Sequence, residues 1–490
     1  MSTLTTLSPE VLANYEPVIG LEVHVQLLTR SKIFCSCSTR FGDPPNQNTC
    51  PVCLGLPGAL PVLNRQAVTM AAKAALALNC RINPRSRFAR KNYFYPDLPK
   101  GYQISQYDEP LSEEGWIDIE AGEAKKRIGI TRVHMEEDAG KSLHEGFADS
   151  GEKTYIDLNR SGVPLIEIVS EPDLRSPEEA YDYLTRLKTL MLYLEVSDCN
   201  MEEGSLRVDA NVSVRKRGAT VFGTKTEVKN LNSFRFLQKA LAYEVERQIE
   251  VLESGGEIFQ ETRLFDSREQ RTYGMRSKEF AHDYRYFPEP DLLPLVVTED
   301  WKEDVRKSLP ELPDARERRF QTEYALPRQD AGVLTASRAT ADYFEQTTKA
   351  CGEPKLAANW VLNDLSYLLQ GSGKAIQESP VTPENLAGLI KLVAPNTISG
   401  KMAKDVLTEM FRTGKTAGQI VSDQGLAQIT DPEKIAVVAR EIIAANPKQA
   451  EQYRQGKTAT IGWFVGQVMK ATRGQAQPKL VQEVLKKELS

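Results

Sequence analysis

The feature that most constrains this chain is a strand-like stretch ending in three acidic residues, Ile128–Lys141. Apolar and polar residues alternate along its first half. Because a β-strand has a side-chain period of two, this alternation predicts a strand with one apolar and one charged face. The adjacent carboxylates of Glu136, Glu137 and Asp138 repel one another unless they are solvated or surround a cation. A solvated hairpin end and a cation site are both compatible with this stretch.

Two further stretches alternate in the same way and carry side chains typical of metal sites. Val18–Leu27 and Ser205–Arg215 each place apolar residues on one face. If all three strands share one sheet, their polar faces converge on a hard divalent cation. Oxygen ligands with a single imidazole suit Mg²⁺ or Mn²⁺ better than zinc. We therefore predict a metal site formed by Glu22, His24, Glu136, Glu137 and Asp209.

The segment Ser86–Leu111 mixes aromatic and basic residues in the run RKNYFYPDLPKGYQ. One interpretation is a loop that packs against the sheet. The other is a pocket wall, in which Arg90 or Lys91 contacts phosphate and an aromatic ring lies beneath a base.

Four of the seven cysteines are clustered in one short loop. Cys35 and Cys37 form a CxC pair, Cys50 and Cys53 form a CxxC pair, and turn-forming residues separate the pairs. No secretory leader is expected at the start, so we do not expect disulfides. Paired short spacings of this kind predict a closed, structural Cys₄ zinc site, with chance clustering of buried cysteines as the alternative.

Length and composition predict a multidomain cytoplasmic protein. A chain of 490 residues is too long for one hydrophobic core, and a net charge of −5 argues against indiscriminate coating of nucleic acid. No apolar run is long enough for a membrane span. Strand patterns dominate the first part of the chain and helix patterns follow. We predict an α+β fold with domains at 1–295, 296–410 and 411–490.

Helix and linker signals subdivide the chain further. Helical periodicity after capping side chains predicts helices over 65–79, 176–194 and 233–252. Three prolines in ten residues predict a domain linker at Tyr286–Leu295.

The C-terminal segment is helical in pattern and basic, with twelve Lys and Arg against seven Asp and Glu from Phe411 onward. Glycines spaced along a helix let another backbone approach closely, so core packing is the first interpretation of Gly462, Gly466 and Gly474. Contact with an RNA backbone is the alternative. It would use the residues around Trp463, namely Lys457, Lys470 and Arg473.

Several long motifs are distributed along the chain from about Tyr15 to Ser490. They are VIGLEVHVQL, KNYFYPDLPKGYQISQ, HMEEDAGK, DLNRSGVPLIEIVSEPD, MEEGSLRVDANVS, KNLNSF and DYRYFPEPDLLPL, followed by GKTATIGWFVGQVMKATRGQAQP. Together they resemble the GatB family, the B subunits of aspartyl/glutamyl-tRNA amidotransferases, and the last motif resembles the YqeY-like tail of that family. The resemblance implies a cradle-shaped α+β catalytic domain with a mixed or antiparallel sheet, an all-α helical domain and a tRNA-binding YqeY-like tail.

The resemblance also implies an activity. Members of the family are ligase subunits that use ATP and Mg²⁺ to phosphorylate the side-chain carboxylate of misacylated Glu-tRNA(Gln) or Asp-tRNA(Asn). Ammonia from the partner glutaminase subunit GatA then displaces phosphate to form the amide, and the small subunit GatC completes the heterotrimer. The chain contains no Walker A, GxSxG or Ser-Ser-Lys motif, which agrees with amidase chemistry in the partner.

This chemistry implies roles for the candidate residues. A carboxylate that attacks a phosphate brings anions together, so the site needs divalent metal and cationic side chains. The four acids and His24 predicted above would bind Mg²⁺, and Glu227 is a further candidate. Lys91 and Arg132 would contact phosphate or substrate.

Two other functions stay compatible with the residues alone. One is a non-catalytic, zinc-containing scaffold that binds tRNA and presents it to enzymes. The other is a metal-dependent hydrolase, which would need an activated water molecule and no acyl phosphate.

Overall fold

The chain folds as two compact units, Met1–Leu312 and Pro313–Ser490. In the described part of the chain, the strands lie in the first unit and the second unit is helical, which confirms the predicted α+β class. The computed structural model describes residues 7–122, 124–147, 149–275, 283–395, 397–426, 429, 431–472 and 475–489.

The first unit is built on β-strands. In chain order they are β1 (Tyr15–Gln26), β2 (Arg81–Ile82), β3 (Arg85–Ser86), β4 (Phe88–Asn92), β5 (Tyr102–Gln106), β6 (Ser112–Ala121), β7 (Ala124–Glu137), β8 (Lys141–Leu143), β9 (Tyr155–Asp157), β10 (Pro164–Ser170), β11 (Leu206–Lys216), β12 (Thr226–Lys229), β13 (Thr262–Asp266), β14 (Arg271–Gly274), β15 (Phe287–Pro288) and β16 (Leu295–Val296).

One large mixed sheet organises this unit, with the order β14-β13-β12-β11-β1-β10-β7-β6-β2. Its neighbouring strands are antiparallel except for the parallel pair β12 and β13. The three strands predicted from alternation are β1, β7 and β11, and β10 lies between β1 and β7. A smaller sheet, β15-β4-β5, carries the aromatic and basic segment.

Helices pack against the apolar side of the large sheet. Ile19, Leu21 and Val23 of β1 belong to the core that these helices cover. The side chains of Asn64, Ser176 and Ser233 cap three of the helices, as the sequence predicts. The helices are α1 (Pro9–Ala13), α2 (Arg65–Ala77), α3 (Pro177–Tyr193), α4 (Phe234–Glu253) and α5 (Glu299–Lys307).

The proline-rich stretch Tyr286–Leu295 is not a linker between domains, and that prediction is wrong. The stretch contributes to β15 and β16, which pair with β4 and β3. Glu289 is buried and accepts hydrogen bonds from the Arg90 guanidinium at 2.7 and 2.9 Å. Proline is tolerated in short edge strands, so the prolines do not interrupt this unit. The unit continues to Leu312.

The second unit consists of short helices around two apolar clusters. One cluster contains residues from Phe320 to Ile420, and the other contains residues from Ile435 to Leu489. The domain boundaries at 295 and 410 stay predictions. The helices are α6 (Pro313–Glu323), α7 (Arg328–Thr335), α8 (Arg338–Cys351), α9 (Pro354–Asn359), α10 (Ser366–Ser372), α11 (Pro383–Val393), α12 (Gly400–Thr413), α13 (Ala417–Gln424), α14 (Pro432–Ala445), α15 (Pro447–Arg454), α16 (Thr460–Ala471) and α17 (Pro478–Leu489), with a π-helical turn at Trp360–Leu365 and a 3₁₀ turn at Ile376–Glu378.

The glycines of α16 do not mediate helix packing, which corrects the first interpretation of the tail. Gly462 and Gly466 are exposed, and a Cβ atom added to either would meet no heavy atom of another element within 4 Å. The helix packs through Phe464 and Val468 instead. No described helix in the chain is long and apolar enough to cross a membrane. Outside the described residues lie Arg473 and Gly474.

Candidate active site

The strand register places polar residues of adjacent strands side by side on the face opposite the helices. Glu22 pairs with Asp209, and His24 pairs with Glu167. Glu167 in turn pairs with His134. Paired residues on neighbouring strands point to the same face, so these side chains form a continuous polar surface.

This polar surface lines a cavity of about 540 Å³. The structure thus brings together residues that are far apart along the chain, although their chemical roles stay predictions. Of the residues predicted to contact Mg²⁺, phosphate or substrate, those that line the cavity are Glu22, His24, Lys91, Arg132, Glu136, Asp209 and Glu227.

Glu137 is the predicted ligand that the structure does not bring into this cavity. Its carboxylate contacts the Lys100 ammonium group and accepts the backbone N–H of Ile104 at 2.8 Å. It lines a separate cavity of about 200 Å³ beside the cysteine loop, Cys35–Cys53. Successive strand residues point to opposite faces, so Glu137 points away from the face that Glu136 occupies.

The three consecutive acids therefore have different partners. All three are buried, so the interpretation of this stretch as a solvated hairpin end is wrong. Glu136 accepts a hydrogen bond from Ser105 at 3.2 Å. Asp138 lies 3.0 Å from Arg207 and 3.7 Å from Arg160. Burial raises the pKa of Asp138, but these guanidinium groups hold it below its ordinary value.

Three side chains in the cavity are arranged so that they can hold a divalent cation. His24, Glu136 and Glu167 each offer one ligand atom, and these atoms all lie within 4.8 Å of one another. The Nε2 atom of His24 is 3.6 Å from Glu136 and 3.5 Å from Glu167. Burial lowers the pKa of His24, but the Glu167 and Glu136 carboxylates raise it above its ordinary value.

Glu167 is a site residue that sequence reasoning missed. It lies in the run VPLIEIV, whose apolar neighbours predict a buried strand. The available signal was a single acid inside an apolar strand, because a buried charge needs a partner. One partner is His134, whose Nε2 atom lies 3.2 Å from Glu167. The Nδ1 atom of His134 is buried and has no hydrogen-bond partner among the described residues.

A second group of carboxylates lies nearby on β1, β11 and β12. Lys229 contacts Asp209 at 2.7 Å and Glu227 at 2.8 Å. Glu22 accepts a hydrogen bond from Asn211 at 2.9 Å. Burial and the neighbouring Glu167 raise the pKa of Glu22, which indicates excess negative charge in this part of the cavity.

Cationic and aromatic side chains form another part of the cavity. The ammonium nitrogen of Lys91 lies 4.9 Å from the ring centroid of Tyr284. The Nε atom of Arg132 is buried and has no hydrogen-bond partner in the described part of the chain. Tyr93 lines the cavity together with Lys91, so the aromatic and basic segment Ser86–Leu111 does contribute a pocket wall. Tyr286, from a later part of the chain, lines the cavity as well. The site thus combines carboxylates suited to metal with cations suited to phosphate.

The four clustered cysteines also meet in space. The Sγ atoms of Cys35, Cys37, Cys50 and Cys53 all lie within 4.8 Å of one another. The pKa of Cys53 is lowered to about 4, and the hydrogen bond from the Cys35 thiol is the largest cause. Four cysteine sulfurs this close to one another fit a tetrahedral zinc site.

Comparison with known proteins agrees with the resemblance seen in the sequence. The family model described as the GatB/GatE catalytic domain matches residues 17–303, which contain every cavity residue named above. This chain belongs to the GatB family. A second family model, described as a GatB domain, matches residues 342–489 in the helical part.

Curated relatives match over nearly the whole chain. The protein from Carboxydothermus hydrogenoformans is 57% identical over 479 residues, which cover 98% of this chain and 100% of the relative. That from Caldanaerobacter subterraneus subsp. tengcongensis is 58% identical over 476 residues, covering 97% and 99%. Both are named as the B subunit of an aspartyl/glutamyl-tRNA(Asn/Gln) amidotransferase. As a member of the GatB family, the chain is a ligase-type amidotransferase subunit.

Proposed function

We propose that this chain activates the side-chain carboxylate of misacylated Glu-tRNA(Gln) or Asp-tRNA(Asn) and converts it into an amide. ATP would supply the phosphoryl group, and ammonia from a glutaminase subunit, GatA, would displace phosphate. A small subunit, GatC, would complete the heterotrimer. The names of the relatives support the tRNA substrate. The cytoplasm is the proposed location, because charged tRNA is found there.

The chemistry explains why activation is needed. A carboxylate reacts poorly with ammonia because its leaving group would be oxide, whereas an acyl phosphate offers phosphate as a leaving group. Forming the acyl phosphate brings a carboxylate against the triphosphate of ATP. Both are anions, so the site must neutralise charge and hold the reacting oxygens in line.

The observation that carries this proposal is the grouping of carboxylates from five strands around one cavity. His24, Glu136 and Glu167 form one set with close ligand atoms. Glu22, Asp209 and Glu227 form the second set, on adjacent strands. Hard oxygen ligands with one imidazole suit Mg²⁺, and Mg²⁺ bound there would neutralise phosphate charge.

Basic side chains of the same cavity would complete the phosphate site. Lys91 and Arg132 line it from the wall and from β7. Burial lowers the pKa of Lys91, but Glu136 raises it above its ordinary value, so its amine stays protonated at neutral pH. We assign Lys91 and Arg132 to hold phosphate oxygens, and the Tyr284 ring to flank the bound substrate.

The cysteine loop and the tail are proposed to have supporting roles. The four cysteines would bind a structural zinc ion, which leaves no open ligand position for catalysis. The basic tail helices would contact the tRNA backbone, and Gly462, Trp463 and Gly466 of α16 are exposed at the surface.

The test is amide formation by the reconstituted complex with misacylated tRNA, ATP, Mg²⁺ and ammonia. The Glu167→Gln variant removes a carboxylate from the metal set while keeping the side-chain shape. We expect it to lower the rate of amide formation by about 10- to 100-fold and to raise the Mg²⁺ concentration required. Glu202→Gln, at an exposed carboxylate, is the control and should leave the rate unchanged.

Three results would contradict the proposal. Unchanged Mg²⁺ dependence in Glu167→Gln would remove the metal assignment. ATP hydrolysis that does not depend on charged tRNA would favour a metal-dependent hydrolase. A wild-type complex that binds tRNA without turning over nucleotide would favour a non-catalytic scaffold.

A further inference from the structure

Lys32 is a lysine whose side chain is fully buried, with 0% of its surface exposed. Its ammonium nitrogen donates hydrogen bonds to the backbone oxygens of Asn48 at 2.7 Å and Leu158 at 3.2 Å. Its third contact is the Sγ atom of Cys53 at 3.6 Å. All three N–H donors of the ammonium group thus have acceptors.

A buried ammonium group also needs a negative counter-charge. Within the described residues, no carboxylate forms an ion pair with Lys32, and Glu137, which lines the same cavity, pairs with Lys100 instead. The two backbone oxygens are neutral. The remaining acceptor is the sulfur of Cys53, and a charge removed from water at this cost requires a charged partner.

The cysteine loop can supply that charge only when its thiols are ionised. Four thiolates around a divalent metal ion form a doubly negative centre. Such a centre is itself unfavourable inside a protein unless nearby N–H groups and cations offset it. Cys53 already accepts the backbone N–H of Cys50 at 3.1 Å.

We propose that Lys32 is the charge partner of a metal-bound cysteine loop, donating an N–H to the Cys53 thiolate and holding the loop on the segment that contains Leu158. This inference rests on the zinc site proposed above and assigns a positioning residue to it. The folded loop and the lysine then stabilise each other. The metal centre neutralises a buried cation, and the cation reduces the negative charge on the sulfurs.

The contact also connects the cysteine loop to the neighbourhood of the cavity. The backbone oxygen of Asn48 accepts a hydrogen bond from the Lys32 ammonium group. The backbone N–H of Asn48 donates to the side-chain oxygen of Asn159 at 2.8 Å. Two residues after Leu158, Arg160 donates to the backbone oxygens of Ala139 and Gly140, directly after the three acids. Loss of metal would therefore loosen a segment that supports the end of β7.

The test compares metal binding by the wild-type chain and the Lys32→Met variant, which keeps most of the side-chain volume and removes the charge. We expect the affinity for Zn²⁺, measured by competition with a chromogenic chelator, to fall about 10- to 100-fold. Lys125→Met replaces an exposed lysine of the same unit and should leave the affinity unchanged.

Substitution of Co²⁺ for Zn²⁺ gives a readout that a purely structural lysine would not affect. A cation and N–H donor stabilise the electrons of the thiolate, so their removal should shift the thiolate-to-cobalt charge-transfer band to longer wavelength. The Lys32→Gln variant, whose amide can still donate to a backbone oxygen, should show the same shift and provides a second variant if Lys32→Met does not fold.

The possible outcomes are distinct. Weaker Zn²⁺ binding together with the band shift supports the proposal. Wild-type metal affinity and an unshifted band in either Lys32 variant would overturn it while leaving the zinc site intact. A wild-type chain that binds neither Zn²⁺ nor Co²⁺ would overturn both this inference and the zinc site, without affecting the proposed amidation reaction.

Discussion

Glu244 of α4 connects the last three strands at one side of the large sheet, β12, β13 and β14, although it is a charged residue with no exposed surface. Its carboxylate accepts hydrogen bonds from Thr226 of β12 at 2.8 Å and from Thr272 of β14 at 2.9 Å. It also pairs with Arg247 at 2.6 Å and with Arg263 of β13 at 3.3 Å. The strand β12 carries Lys229 and Glu227 to the cavity, so this network supports one side of the proposed active site.

We expect Glu244→Gln to weaken these edge strands substantially. The amide has the same shape, but it leaves Arg247 without its main counter-charge and leaves Arg263 paired, among the described residues, only with Glu261, at 2.6 Å. Breaking a buried ion pair by removing one partner costs about 3–5 kcal/mol. The side chains of Arg247 and Arg263 keep 20% and 12% exposure, which offsets part of the loss. We therefore expect a cost of about 3 kcal/mol, at the lower end of this range.

The pH dependence has a definite sign. Burial raises the pKa of Glu244, but the hydrogen bond and charge of Arg247, with further hydrogen bonds from Gln248 and Thr226, leave it below its ordinary value. A carboxyl group with a lowered folded-state pKa stabilises the fold above its unfolded pKa of about 4.3. That stabilisation is lost as the pH falls through the folded-state value. The difference between wild type and variant should be largest near neutral pH.

Hydrogen exchange measured by mass spectrometry on peptides from β12, β13 and β14 is the appropriate assay, because it reports local opening in a chain with more than one unit. A loss of about 3 kcal/mol corresponds to exchange about 100-fold faster. The matched control is Glu299→Gln, which removes a surface pair with Lys302 where the glutamate side chain is 80% exposed. It should change exchange by less than about fivefold. Exchange in Glu244→Gln that is as slow as in the control would refute this reasoning. So would a ratio of variant to wild-type exchange rates that stays the same when the pH is lowered below about 4.

Two further predictions concern the site and the tail. Glu136→Gln should raise the Mg²⁺ concentration needed for amide formation, whereas Glu137→Gln should not, because of these two residues only Glu136 lines the larger cavity. A Mg²⁺ titration of amide formation tests this, and equal Mg²⁺ dependence of the two variants would contradict it. Truncation after Leu426 should weaken tRNA binding and reduce its salt dependence while the helical cluster stays folded. Truncation after Met410 should in addition lower the melting temperature of the remaining helical cluster, followed by circular dichroism, because it removes the buried Ile420. Unchanged tRNA affinity in both truncations would limit the tail to a structural role.

Local patterns predicted much of the first unit. The alternation along Val18–Leu27 and Ser205–Arg215 corresponds to β1 and β11, and the capping side chains mark the observed helix starts. These features depend on interactions between residues close in sequence. The linker predicted at Tyr286–Leu295 failed for the opposite reason. Its prolines suggested a break, but backbone pairing with distant strands holds it in the unit.

The helix α4 illustrates another limit of sequence patterns. Its periodicity predicts an amphipathic helix, and a charged residue such as Glu244 would ordinarily be assigned to the solvent face. Arg247 lies in the same helix, but Arg263 and Thr272 come from strands that follow the helix and complete the set of partners around the buried carboxylate. Burial of a charge is decided by partners that local periodicity does not identify.

The sequence by itself determined which residues share a strand face, where helices begin, and that four cysteines form a set. These properties follow from the periods of β-strands and α-helices and from short spacings. Only the tertiary structure decided that β10 lies between β1 and β7, so that Glu167 joins His24, and that Glu137 turns toward Lys100. Strand order and register are set by contacts between distant parts of the chain, and they determine which side chains meet around a metal ion.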